Sequence, residues 1–204
     1  MADCENRGTI HRSGCTLFRD QTPRFSMLTA NSLIPRLPPT GNWLNLCLVS
    51  RRRKISLFTA GYEGLSLPDF LRQLKAASVE VLFDIRYRPQ SRKPGFSKNK
   101  LAAACKRRGI RYLHDPKLGT PPDQMAAMKE AGEYTPQIFK RYRRFLLKQV
   151  ESLQTVVDVA SKENTCLLCY ERDYSTCHRK IVAEEITLRT GLPVTHLRAE
   201  EIVR

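Results

Sequence analysis

The chain has 204 residues, 41% of them hydrophobic and 27% charged, with a net charge of +15. That length suits one domain with an appendage, and the composition is that of a globular protein. No apolar run approaches the ~18 residues of a spanning helix, which excludes a membrane-spanning protein, and the basic excess favours phosphate-bearing partners, nucleic acid included.

Residues 1–54 carry nine Lys/Arg against three Asp/Glu, with Pro23, Pro35, Pro38 and Pro39, and end in Arg51-Arg52-Arg53-Lys54. They show no sustained helical or strand period. Three readings compete: a disordered basic arm, an organelle-targeting peptide, or upstream sequence included through an early start, with Met27 a later one. The expectation is a disordered or artefactual extension ahead of an α/β domain over residues 55–204.

From Ile55 the texture changes. Ile55–Ala60 reads as a strand, Gly61-Tyr62-Glu63-Gly64 as a turn, and Leu65–Ala77 has helical spacing with Pro68 in its first turn. Val79–Ile85 is a β-branched, apolar run of buried-strand type. Arg86–Phe96 is a polar loop, and Ser97 can cap a helix over Lys98–Arg108 that Gly109 ends. Ile110–Leu113 is a third strand, and His114–Thr135 reads as irregular. Pro136–Ser161 is a long helical stretch broken near Leu153. Thr165–Cys169 is a fourth strand, Cys177–Arg189 the last helix, and Val194–Leu197 a fifth strand. This alternation predicts an α/β fold, a single three-layer domain with a mainly parallel sheet of about five strands and helices on both faces.

In a parallel sheet all carboxyl ends share one edge, where α/β proteins place their ligands. Gly61-Tyr62-Glu63, Asp84-Ile85-Arg86, His114 and Cys169-Tyr170-Glu171 each follow a strand, so topology alone gathers them. The stretch Thr165–Lys180 adds Cys177, His178 and Arg179 at a helix start.

Three chemistries compete there. Zinc would want paired Cys/His ligands. Cys166 and Cys169 have the spacing, but strand positions three apart face opposite ways, and adjacent Cys177 and His178 would diverge by roughly 100° on a helix. The expectation is no metal and no cofactor. A reactive thiol is the second reading, because a helix N-terminus and cationic neighbours would lower the Cys177 pKa. Neither Cys169 nor Cys177 has an arginine six positions on, so this is no cysteine-phosphatase or rhodanese loop. Anion binding is the third, with Arg86, Arg88, Arg92, His178 and Arg179 as donors. Asp84 and Arg86 read equally well as a structural pair.

Gly61-Tyr62-Glu63-Gly64, Asp84-x-Arg86 with Pro89, Ser91-Arg92-x-Pro94 and Phe96, then Leu168-Cys169-x-Glu171 and Cys177-His178-Arg179, resemble the domain-of-unknown-function family numbered 488 over about Leu57–Leu197. The resemblance implies importance for Gly61, Asp84, Arg86, Cys169, Glu171, Cys177, His178 and Arg179, and implies no particular reaction. Cys166 lies outside the pattern.

The expected function is a small enzyme acting on a phosphate-bearing substrate, a nucleotide or nucleic acid. Its catalytic groups would be drawn from Cys169, Glu171, Cys177 and His178. Gly61, Tyr62, Glu63, Asp84, Arg86, Arg88, Ser91, Arg92, His114 and Arg179 would bind the substrate. The alternative is a non-catalytic nucleic-acid-binding module. Seven cysteines, with no apolar stretch of roughly 7–15 residues behind a basic N-terminus, point to free thiols in the cytoplasm.

Overall fold

The computed structural model describes residues 54–132 and 134–198. The expected extension over residues 1–54 therefore lies outside the described residues, apart from Lys54. Five parallel strands form one sheet: β1 (Leu57–Gly61), β2 (Val81–Asp84), β3 (Arg111–His114), β4 (Thr165–Cys169) and β5 (Val194–Leu197), in the order β3-β2-β4-β1-β5.

Helices cover both faces. On one, α1 (Leu67–Ala76) and α2 (Lys98–Arg107) bury Phe70, Leu74, Leu101 and Cys105 against Ala60, Leu82, Cys166 and Leu168. On the other, α4 (Pro136–Leu146), α5 (Val150–Ala160) and α6 (Arg179–Thr190) bury Tyr142, Leu153, Val156 and Ile186 against Leu57, Phe83 and Leu167. The strands β2 and β4 are buried along their whole length. This explains why both read as continuous apolar runs rather than alternating ones.

Local chemistry sets the helix starts. Ser66 caps α1 by accepting a hydrogen bond from the Asp69 amide at 3.3 Å, and Thr135 caps α4 through the Ile138 amide at 3.3 Å. Both helices carry proline in the first turn, where its missing N–H costs nothing.

Three expectations are corrected. Residues 114–135 are not irregular: a 3-10 turn (Pro116–Leu118) precedes helix α3 (Pro122–Ala131). The break in the long helical stretch falls between Leu146 and Val150, ahead of Leu153. The last helix begins at Arg179, so Cys177 and His178 lie in the turn before it. Among the described residues no helix is long and apolar enough to cross a membrane.

Candidate active site at the carboxyl edge of the sheet

Strand register positions the site. Gly61 on β1 lies opposite Cys169 on β4, and Asp84 on β2 pairs with Leu168 on β4 and His114 on β3. All the strands run the same way, so the loops after Gly61, Asp84, His114 and Cys169 leave from one edge. β2 and β4 are immediate neighbours, which sets the Asp84–Arg86 segment beside the Cys169–Arg179 loop despite their distance in sequence.

Asp84 and Arg86 form a buried hub. The Arg86 Nε and Nη2 groups donate to the two carboxylate oxygens of Asp84 at 2.8 and 2.6 Å. Nη1 donates to the Tyr62 hydroxyl at 2.8 Å and to the Phe96 carbonyl at 3.0 Å. The Tyr112 hydroxyl donates to Asp84 Oδ2 at 2.5 Å, the oxygen that also accepts from Arg86 Nη2. Burial works against the Arg86 charge, but Asp84 outweighs it, so the guanidinium pKa is raised. With its donors engaged, Arg86 orders the loop from Tyr87 to Phe96 and has little left for a substrate. His114 supports the same segment by donating from Nε2 to the Arg86 carbonyl at 3.0 Å. Ser91 is a turn residue whose hydroxyl accepts from the Lys93 amide at 3.1 Å.

Gly61 and Arg179 hold the second loop. A Cβ on Gly61 would lie 1.7 Å from the Glu171 carbonyl oxygen and 2.9 Å from Arg179 Nη1. Only glycine permits this approach of backbone to backbone. Arg179, 1% exposed, donates from Nη1 to the Glu171 carbonyl and from Nη2 to the Arg172 carbonyl. Glu63 adds a further tie: its carboxylate accepts from the Arg172 amide at 2.9 Å, and its own amide donates to the Tyr170 carbonyl at 2.9 Å. Gly61, Glu63 and Arg179 thus all tie down the loop that carries Glu171.

The loop so held carries Cys169, Glu171, Cys177 and His178, whose ligand-type atoms all lie within 4.8 Å of one another. Both thiols donate to Glu171 Oε2, from Cys169 at 2.7 Å and from Cys177 at 3.1 Å. The His178 Nδ1 atom is 3.7 Å from the Cys169 sulfur and 3.8 Å from that of Cys177. On its other side His178 Nε2 contacts the Ile85 carbonyl at 3.3 Å. Because a carbonyl only accepts, Nε2 carries a proton there, and Nδ1 is the ring nitrogen that faces the sulfurs. Two sulfurs, an imidazole nitrogen and a carboxylate at this spacing could hold a cation.

The electrostatics differ from those of an activated thiol. Burial pushes both the Cys169 and Cys177 thiols up, Cys177 well above its ordinary value. Desolvation of a buried sulfur outweighs the nearby helix N-terminus. Burial also acts to raise the Glu171 carboxyl, yet His178 and the two thiol hydrogen bonds hold it below the usual carboxylate range. For His178 burial favours the neutral ring, but Cys177 and Glu171 prevail and raise its pKa.

A pocket of about 470 Å³ opens over this cluster, with Cys169, Glu171 and His178 in its wall. Its rim carries Arg88 and Arg92, both exposed, and Lys93, while the buried Tyr62 and Tyr134 back its wall. The Lys93 ammonium donates to the Tyr62 carbonyl at 3.0 Å, and Tyr62 stacks on Phe96 with ring centroids 4.3 Å apart. Thr120, Met125 and Tyr134 close one side. They belong to the segment read as irregular, so sequence reasoning missed them, and no motif there singles them out. Tyr112, the second donor to Asp84, was missed too: on a strand it is indistinguishable from a packing tyrosine. A second pocket beside Glu171 is lined by Glu63, Asp173, Arg172 and Arg179, a mixed-charge wall less suited to an anion.

Fold and site together define an α/β protein with a parallel sheet and a loop-built pocket at its carboxyl edge. The chain belongs to the family described as Domain of unknown function DUF488, which matches it over residues 66–186. That span includes both the Asp84–Arg86 and the Cys169–Arg179 segments, and leaves β1 with Gly61 and the strand β5 outside. No curated protein and no solved structure matches the chain. The family name states no reaction, so function is argued from the site.

Proposed function

We propose that the protein is a small enzyme acting on a phosphate-bearing substrate, a nucleotide or the end of a nucleic acid, in the pocket over Cys169, Glu171 and His178. The observation that carries this reading is the pairing, in one pocket, of a cationic rim with a buried polar cluster. Arg88 and Arg92 make no ion pair with any described residue, so their guanidinium groups are available to phosphate oxygens. Tyr87 and Tyr170, which line the same pocket and are exposed, offer aromatic surface for a base. Glu171 is half-buried where the other three members of the cluster are buried, which favours it as the group that meets a substrate.

Turnover tests the reading. Incubation with a panel of nucleotides and short oligonucleotides should yield product from at least one. Arg88→Ala with Arg92→Ala should raise KM, each lost charge-assisted bond costing roughly 1.5–3 kcal/mol. Glu171→Gln should lower kcat by about 10²–10⁴ with little change in ligand binding. Salt-sensitive oligonucleotide binding without product from any member of the panel would overturn the enzyme reading in favour of a binding module.

A further inference from the structure

We infer that Cys169, Glu171, Cys177 and His178 form a zinc site on the floor of this pocket. The inference goes beyond the proposed function and does not rest on it, because the donor geometry is the same whatever the pocket receives.

Zinc–sulfur bonds of about 2.3 Å and zinc–nitrogen bonds of about 2.0 Å at tetrahedral angles set ligand atoms roughly 3.5–3.8 Å apart. The two sulfur–imidazole separations are 3.7 and 3.8 Å. The carboxylate is nearer, 2.7 and 3.1 Å from the sulfurs, and has to retreat by under about 1 Å to take a tetrahedral position. Two thiolates and an imidazole are a donor set that favours zinc over magnesium or calcium.

The surroundings are those of a metal centre. His178 turns Nδ1 to the sulfurs because Nε2 is held by the Ile85 carbonyl at 3.3 Å, the outer bond that fixes the tautomer of a ligating histidine. The Arg179 amide points at the Cys177 sulfur from 3.5 Å, a contact that stabilises a thiolate. Two thiolates and a carboxylate on a divalent ion leave one negative charge, and the buried Arg179 guanidinium, bonded to the Glu171 carbonyl, lies beside it.

The features that counted against zinc in the sequence do not apply to this set. Cys166 is packed in the apolar layer with α1 and α2 and is not a ligand of this set. Cys177 and His178 do not diverge on a helix, because the helix begins at Arg179.

Elemental analysis of the full-length protein, purified without chelators, should find one zinc per chain. Replacement by cobalt should give the intense visible bands of a tetrahedral ion and a thiolate charge-transfer band. Cys169→Ser and Cys177→Ser should lose the metal, whereas Cys166→Ala should keep it. Glu171→Gln should weaken affinity by more than the roughly 10–100-fold that loss of an outer partner costs. Should a cysteine variant fail to fold, the cobalt spectrum of the unaltered protein decides. A metal-free protein whose cobalt titration shows no thiolate band overturns the inference, as does zinc retained after both cysteines are replaced. The effect of the Arg88 and Arg92 substitutions on KM is read separately, so loss of one proposal leaves the other testable.

Discussion

Asp84 is fully buried and has Arg86 and Tyr112 as its donors. Asp84→Asn removes the charge that compensates the Arg86 guanidinium and should cost about 3–5 kcal/mol, since an unpaired buried charge is what makes breaking such pairs expensive. Denaturant unfolding measures it; a loss under about 1 kcal/mol would mean that water reaches Arg86. Gly61→Ala is the second residue-scale test. Its Cβ would meet a backbone carbonyl at 1.7 Å, and backbone cannot yield as a flexible side chain does. We expect a loss at or beyond the roughly 3 kcal/mol upper end for overpacking, read as a lowered melting temperature. The positions of these residues were legible in the sequence, because each lies at the carboxyl end of a strand. Their work was not. Arg86 and Arg179 look like phosphate ligands in a list of cations. In the fold Arg86 bonds Asp84, Tyr62 and Phe96, and Arg179 bonds the carbonyls of Glu171 and Arg172, partners that no sequence spacing announces.

Among the described residues every strand and five of the six helices were legible, because buried strands read as apolar runs and these helices bury apolar residues at helical spacing, α1 and α4 with capping side chains as well. Helix α3 was not. Among its residues only Gln124 is buried, so it has no stripe to read, and its prolines and glycine resemble those of a loop. The same property predicts its dynamics. With few apolar contacts and exposed backbone hydrogen bonds, α3 should open locally far more often than β4, which is buried throughout. Hydrogen exchange should therefore show α3 amides exchanging by local opening while β4 exchanges only on global unfolding. Equal protection of the two would contradict this. Since Met125 and Met128 of α3 wall the pocket, a bound substrate should slow exchange in α3. Strand β5 carries a second device. His196 bonds Thr59 Oγ1 at 2.8 Å and stacks on Tyr174 at 3.5 Å. Burial first, then the charges of Arg179, Arg198 and Lys180 against that of Glu184, lower its pKa below the ordinary 6.5. The folded state thus binds fewer protons than the unfolded one below about pH 6.5. This contribution is full above that pH and is lost as pH falls through 6.5 towards the folded value. The melting temperature should drop over that interval, and drop less in His196→Gln. A parallel fall in both proteins would assign the slope to other groups.

At the scale of the whole molecule, charge is the property most visible in sequence and least informative about fold. Residues 55–204 alone hold 26 Lys/Arg against 17 Asp/Glu. Part of the excess is placed where it can act. The loop bearing Arg88 and Arg92 packs on the start of α2, with the Lys98 amide donating to the Pro89 carbonyl at 2.9 Å. Lys98 and Lys100 are exposed there. A chain of phosphates leaving the pocket past Arg88 and Arg92 would therefore meet further cations, while a single nucleotide would not. Oligonucleotide affinity should fall with salt along a logarithmic slope of roughly −0.7 per contacted phosphate for a single strand. Replacing Arg88 and Arg92 by alanine should flatten that slope by about 1.4, and replacing Lys98 and Lys100 should flatten it again by a similar amount. For a mononucleotide the first pair should matter and the second should not. If the lysine pair changes neither slope, the polymer does not run along α2, and the substrate is confined to what the pocket itself holds.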